Sequence, residues 1–172
     1  MPMNTQSAPG TDNTSDVQLK KCVTIDRTAE ELYEKWKDFS SFPLFMEHLV
    51  SVRPAGLNRT HWIAKGPGNT KVEWDAATTA DTPGKVIAWK SLPGADVPNE
   101  GSVHFDPAPV HRGTRVTVTL SYAPPGGSVA RWAAMIFGEE PDKQISDDLS
   151  RFKALMETGV VPTTDGQSKG NN

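Results

Sequence analysis

Pro141-Asp142-Lys143-Gln144-Ile145-Ser146-Asp147-Asp148-Leu149-Ser150-Arg151-Phe152-Lys153-Ala154-Leu155-Met156-Glu157 is the stretch whose reading decides the fold. Ile145, Leu149, Phe152 and Met156 follow one another at steps of four, three and four, which places them on one face of an α-helix. Leu155 widens the stripe. Lys143, Asp147, Ser150, Arg151 and Glu157 take the other sides, so the helix has one wall to bury and another to leave in water. Pro141 suits a first helical position, Glu139, Glu140 and Asp142 sit at the positive end of the helix dipole, and Gly159 can adopt the left-handed terminating conformation. At 1.5 Å per residue such a helix is about 25 Å long. It needs a partner surface.

Almost everything from Val17 to Tyr122 reads as strand. Val17, Leu19, Lys21, Val23 and Ile25 share one side of a first strand, over Val17–Asp26. Thr28 with Glu31 three residues on has the form of a capping box, and Ala29, Leu32, Tyr33 and Trp36 then give a short amphipathic helix. Leu44-Phe45-Met46 predicts one further helical turn before His48. From there strands are predicted at Leu49–Arg53, Thr60–Lys65, Thr70–Thr79, Lys85–Leu92, Gly101–Asp106 and Thr114–Ala123, each bounded by Gly, Pro, Asn or Asp. Such short connections favour antiparallel neighbours over crossover helices.

Alternation assigns the buried side of each strand. The apolar sides are Val72, Trp74 and Ala76; Val116, Val118, Leu120 and Tyr122; Trp62 and Ala64; Ile87 and Trp89; Val103 and Phe105. The expected architecture is therefore an α+β fold: a seven-stranded curved antiparallel sheet wrapped around a long C-terminal helix, with two short helices after the first strand. Ser128 then caps Val129–Phe137, which is apolar nearly all round with Arg131 as its one charge. Either it packs on the sheet or it forms the mouth of a cavity.

Composition narrows the class. The 172 residues, 36% of them hydrophobic and five of them Trp, suffice for one domain with a substantial core. We expect residues 16–159 to form it, with polar, aperiodic tails at 1–15 and 160–172 left disordered. A net charge of −3 and no basic run beyond Lys20-Lys21 argue against nucleic acid. Cys22 is the one cysteine, so an intrachain disulfide and a multi-cysteine metal site are excluded, and a small buried hydrophobe is its expected role. The N-terminal stretch lacks a signal-peptide pattern, and no apolar run approaches a bilayer span, so a cytoplasmic protein is expected, with transient membrane contact left open.

The order strand, two short helices, six strands and long helix resembles the helix-grip fold of the START-like superfamily, also called SRPBCC or birch-pollen-allergen-like. Within it, the chain resembles the polyketide cyclase/dehydrase and coenzyme-Q-binding groups. The resemblance is carried by Ile25 to Tyr33, by Trp36-Lys37-Asp38-Phe39 through Phe42 to His48, by Val72-Glu73-Trp74-Asp75-Ala76 and by Asp147 to Lys153. It implies a cavity between sheet and long helix that holds an apolar molecule: a lipid, an isoprenoid quinone or a polyketide-like compound. Fold alone does not select among them.

Catalytic groups are sparse in the sequence. Glu73 and Asp75, and likewise His104 and Asp106, alternate with the apolar residues and fall on the outer face. His48, His61 and His111 show no metal-ligand spacing, no Gly-rich phosphate loop follows a strand, and neither a cofactor nor a metal is expected. The aromatic set is richer. Trp62, Trp74, Trp89, Phe105, Val118 and Tyr122 from the sheet, with Trp132, Met135, Ile145, Leu149, Phe152 and Met156 from the helices, are the candidate ligand-binding residues, although the same set could serve as plain core. Non-catalytic binding, carriage or sensing of a small hydrophobic molecule is the first expectation. A cyclase/dehydratase with a buried acid or base is the alternative, with Tyr122, or Glu73 if the phase of its strand is reversed, as first candidate. A protein-interaction domain using residues 129–137 is the third.

Overall fold

The computed structural model describes residues 17–122 and 140–162. In chain order the elements are β1 (Val17–Ile25), α1 (Ala29–Lys37), a 3-10 turn (Phe39–Leu44), β2 (Leu49–Pro54), β3 (Arg59–Lys65), β4 (Lys71–Thr82), β5 (Val86–Ser91), β6 (Asn99–Pro107), β7 (Thr114–Tyr122) and α2 (Pro141–Thr158). The seven strands make one antiparallel sheet in the order β1-β7-β6-β5-β4-β3-β2. Six of them form a meander because each joins the next through a short turn; β1 then closes against β7. That closure brings backbones very near each other. A Cβ on Gly113, whose φ is +84°, would stand 2.1 Å from the Ile25 carbonyl oxygen, so glycine alone fits there.

The buried face of the sheet follows the alternation. Val72, Trp74, Ala76, Trp62, Ala64, Ile87, Val103, Phe105, Val116, Val118 and Tyr122 are all buried, whereas Glu73, Asp75, His104 and Asp106 are exposed. α2 lays Ile145, Leu149 and Phe152 on this face, and each such side chain contributes about 1.5–3 kcal/mol. Polar clasps fix its direction along β1. Lys21 meets Asp142 at 3.0 Å near the start of the helix. Near its end Lys153 donates to the Thr24 carbonyl at 2.7 Å, and Glu157 accepts from the Asp26 N–H at 2.9 Å. Gly159 terminates α2 at φ +76°, its N–H donating to the Leu155 carbonyl at 2.9 Å.

Three expectations are corrected or displaced. The second short helix is not at Leu44–Met46. It is the 3-10 turn over Phe39–Leu44, closed by i+3 bonds from Ser41 N–H to the Asp38 carbonyl and from Phe45 N–H to the Phe42 carbonyl. Cys22 is exposed, because it alternates with Val23 and therefore falls on the outer side of β1. β4 runs to Thr82, three residues past its expected end, and keeps pairing with β5 through an irregularity between Thr78 and Ala80. The segment Val129–Phe137, with Trp132 and Met135, and the tails at 1–15 and 163–172 lie outside the described residues.

Candidate functional site

Three indoles stand side by side on the inner face. Trp62 on β3 lies directly opposite Trp74 on β4, their rings stacked at 5.7 Å and 15°. Trp89 on β5 stacks against Trp62 at 6.2 Å and 23°. Gly101 on β6 makes the space for the third ring, since a Cβ there would stand 2.5 Å from Trp89 Cζ2. A second aromatic group links this wall to the helices. Trp36 of α1 meets Phe152 of α2 edge-on at 5.1 Å, and Phe42 from the 3-10 turn touches both Trp36 (5.4 Å) and Trp62 (5.7 Å).

Between the indole wall and α2 is a largely apolar cavity of about 70 Å³. It is lined by Trp62, Trp74, Trp89, Val118 and Tyr122 from the sheet and by Ile145 and Leu149 from α2, seven of the expected residues in one place. Phe105, Phe152 and Met156 do not line it. Phe105 and Phe152 are fully packed core, with Phe152 held between Trp36 and Phe45, and Met156 lies half-buried toward the far end of α2. At its rim the cavity shares Asn99, Ser121 and Tyr122 with an outer cleft of about 410 Å³ bounded by residues 90–95 and 98–100. Burial, and secondarily the charge of Asp142, push the Tyr122 phenol above its ordinary pKa.

The lining also contains a titratable pair that sequence spacing did not reveal. Asp148 projects from the middle of α2, its side chain 6% exposed, and His48 Nδ1 lies 3.4 Å from its Oδ2. On the other oxygen Asp148 accepts from Gln144 Nε2 at 2.9 Å and from Arg151 Nη2. Arg151 is tied in turn to the Phe45 carbonyl through Nε at 3.0 Å and faces Glu47 at 3.4 Å. A buried carboxylate held by a guanidinium and an amide, with an imidazole against its free edge, can orient that imidazole for proton transfer. The helix phase did hold a signal: Asp148 is three residues after Ile145 and four before Phe152, hence on the buried stripe. Trp36, Phe42, Met46, Leu49 and Leu120 complete the lining.

By contrast His61 sits on the wet face, 2.7 Å from Asp75 and 3.5 Å from Glu73. Among the described residues no group of three or more His, Cys, Asp or Glu is placed to hold a metal, and no helix is long and apolar enough to cross a membrane.

A curved seven-stranded sheet closed around a long helix over an apolar cavity defines the helix-grip architecture of START-like proteins. The chain superposes on a START superfamily protein from Mycobacterium smegmatis with a TM-score of 0.62 at 15% identity, over 81% of this chain and 98% of that one. It superposes on the Zhui aromatase/cyclase from a Streptomyces strain at 0.58 and 14% identity, over 86% and 99%. These two share its fold. A crystal structure from Deinococcus radiodurans is nearer in sequence, 42% identical with a TM-score of 0.69 over 84% of this chain and all of that one. Residues 25–150 match the family described as polyketide cyclase / dehydrase and lipid transport, and the chain belongs to it.

Proposed function

We propose that this chain binds a small, flat apolar molecule between the Trp62–Trp74–Trp89 wall and α2. The observation that carries this reading is the set of near-parallel indoles on one wall of an apolar cavity that shares Asn99, Ser121 and Tyr122 with a larger outer cleft. At about 70 Å³ the inner space is below the roughly 300–1,000 Å³ of sites that enclose drug-sized ligands. A ligand of more than one ring therefore keeps part of its body in the outer cleft or moves α2 outward. Each methylene it buries contributes about 0.8 kcal/mol, so about eight suffice for micromolar binding after association costs. Native mass spectrometry and solvent extraction of protein isolated from its own host test the reading. A released isoprenoid, aromatic or lipid compound is expected, retained less by Trp74→Ala; repeatedly empty protein counts against it.

A second reading, an enzyme of the cyclase/dehydratase type, is favoured by the partly buried His48 against buried Asp148 in the cavity lining. There His48 would move the proton, with Asp148 as its positioning residue. The two readings separate on the recovered compound: a binder returns it unchanged, whereas an enzyme returns it cyclised or dehydrated and loses that conversion in His48→Gln.

A further inference from the structure

Two buried indole N–H groups on the cavity lining lack an acceptor. Trp62 Nε1 donates to Thr60 Oγ1 at 2.8 Å, but Trp36 Nε1 and Trp74 Nε1 are both shielded from solvent and meet no hydrogen-bonding atom among the described residues. Trp36 is 1% and Trp74 7% exposed, and both residues line the cavity. A donor that is dried and left unpaired keeps its whole desolvation cost, which is why buried polar atoms are nearly always matched.

We infer that the cavity recognises the carbonyl oxygen of a planar, unsaturated ring compound, held by Trp74 Nε1–H or, from the other side of the lining, by Trp36 Nε1–H. This rests on the binding proposed above and adds which end of the ligand enters first. An indole N–H is a donor only, so its partner must be an acceptor, and ammonium groups, which only donate, are excluded. A carboxylate would arrive in a largely apolar pocket that already holds the Asp148 carboxylate, whose guanidinium partner, Arg151, stands outside the lining. A neutral carbonyl meets neither objection. The indole wall fits a flat ring, and the inner volume of about 70 Å³ admits the oxygen-bearing end while the remainder trails past Asn99 and Tyr122 into the cleft. A saturated alkyl chain would leave both N–H groups unpaired.

Indanone and indane, which share a bicyclic shape and differ by a carbonyl for a methylene, are the probes. Equilibrium dialysis against the full chain should give indanone about tenfold tighter binding than indane, the worth of a matched buried donor. Trp74→Phe, which keeps a ring and removes the N–H, should weaken both probes but indanone by far more, abolishing most of that preference. In wild-type protein with nitrogen-labelled tryptophan, indanone and not indane should shift indole N–H resonances assigned to Trp74 or Trp36, which needs no variant to fold. Equal affinity for the two probes, or a preference unchanged in Trp74→Phe, overturns the inference and leaves the binding reading standing. No binding of either probe at their solubility limits overturns both.

Discussion

His48 Nδ1 lies 3.4 Å from Asp148 Oδ2, joining the loop ahead of β2 to the middle of α2 inside the cavity lining. The pair is maintained by what lies behind it: Gln144 and Arg151 on the same helix hold the other carboxylate oxygen, and Arg151 is pinned to the Phe45 carbonyl. This charged set lies at the apolar, cavity-lining side of α2, apart from the polar clasps that tie the helix to β1.

Removing one member of that set should be worse than removing two. Arg151→Leu leaves Asp148 buried without its guanidinium, and the expected loss is about 3–5 kcal/mol. Asp148→Leu combined with Arg151→Leu leaves no stranded charge and should lose clearly less than Arg151→Leu alone. Urea denaturation of wild type, both single variants and the double variant closes the cycle. Additive losses would show that the two side chains do not act together.

Gly101 controls the third indole. A Cβ at this position would stand 2.5 Å from Trp89 Cζ2 and 2.7 Å from Leu120 Cδ2, and both side chains line the cavity. Gly101→Ala should cost about 1–3 kcal/mol by overpacking. It should also tilt Trp89 off Trp62, changing tryptophan fluorescence and weakening retention of any apolar ligand. A variant with wild-type melting and wild-type emission would mean that Trp89 yields freely.

The fold was legible because its determinants are periodic. The steps among Ile145, Leu149 and Phe152 and the alternation through Trp74, Val116 and Val118 each state a buried face, and the structure joins those faces. Thr28 and Glu31 were legible as a reciprocal cap for the same reason, a local rule with fixed spacing. Site membership was only partly so. Periodicity tells that Phe152 and Trp62 both point inward, but not that Phe152 is enclosed by Trp36 and Phe45 while Trp62 borders the cavity. His48 and Asp148 were hidden because residues so far apart in sequence meet only after α2 docks. Cys22 was misassigned by weighing residue type above strand phase.

The cap itself is quantifiable. Thr28 Oγ1 accepts from the Glu31 N–H at 3.2 Å, and Glu31 accepts from the Thr28 N–H at 2.9 Å. These bonds hold the Glu31 carboxyl below its ordinary pKa. Thr28→Ala should cost about 1 kcal/mol of stability, in the range measured for lost N-caps, while Thr28→Ser should cost only a few tenths. Thermal or urea unfolding distinguishes the two, and equal losses would mean that the hydroxyl contributes nothing.

Stability should also depend on pH through the contact between α1 and the β4–β5 hairpin. Tyr33 donates to Asp81, and Lys37 pairs with the same carboxylate. Burial, and then the bond to Asp81, push the Tyr33 phenol up to about 12. The bonds from Lys37 and Tyr33 hold the Asp81 carboxyl below its ordinary value of 3.8. The signs are opposite. A lowered carboxylate contributes stability above its unfolded pKa and loses it as pH falls through the folded one, so Asp81 weakens the fold on the acid side. A raised phenol contributes stability below its unfolded pKa of 10.0 and loses it as pH rises toward about 12, so Tyr33 weakens the fold on the alkaline side. Tyr122 is the second of the chain's two tyrosines and its phenol is raised as well, by burial. Tyrosinate absorbance of the native protein should therefore rise only above the ordinary phenol range, and in urea both tyrosines should titrate near 10.0. Tyr33→Phe should flatten the alkaline arm of the stability curve. A native tyrosine titrating at the unfolded midpoint would show that it is not shielded as its packing requires.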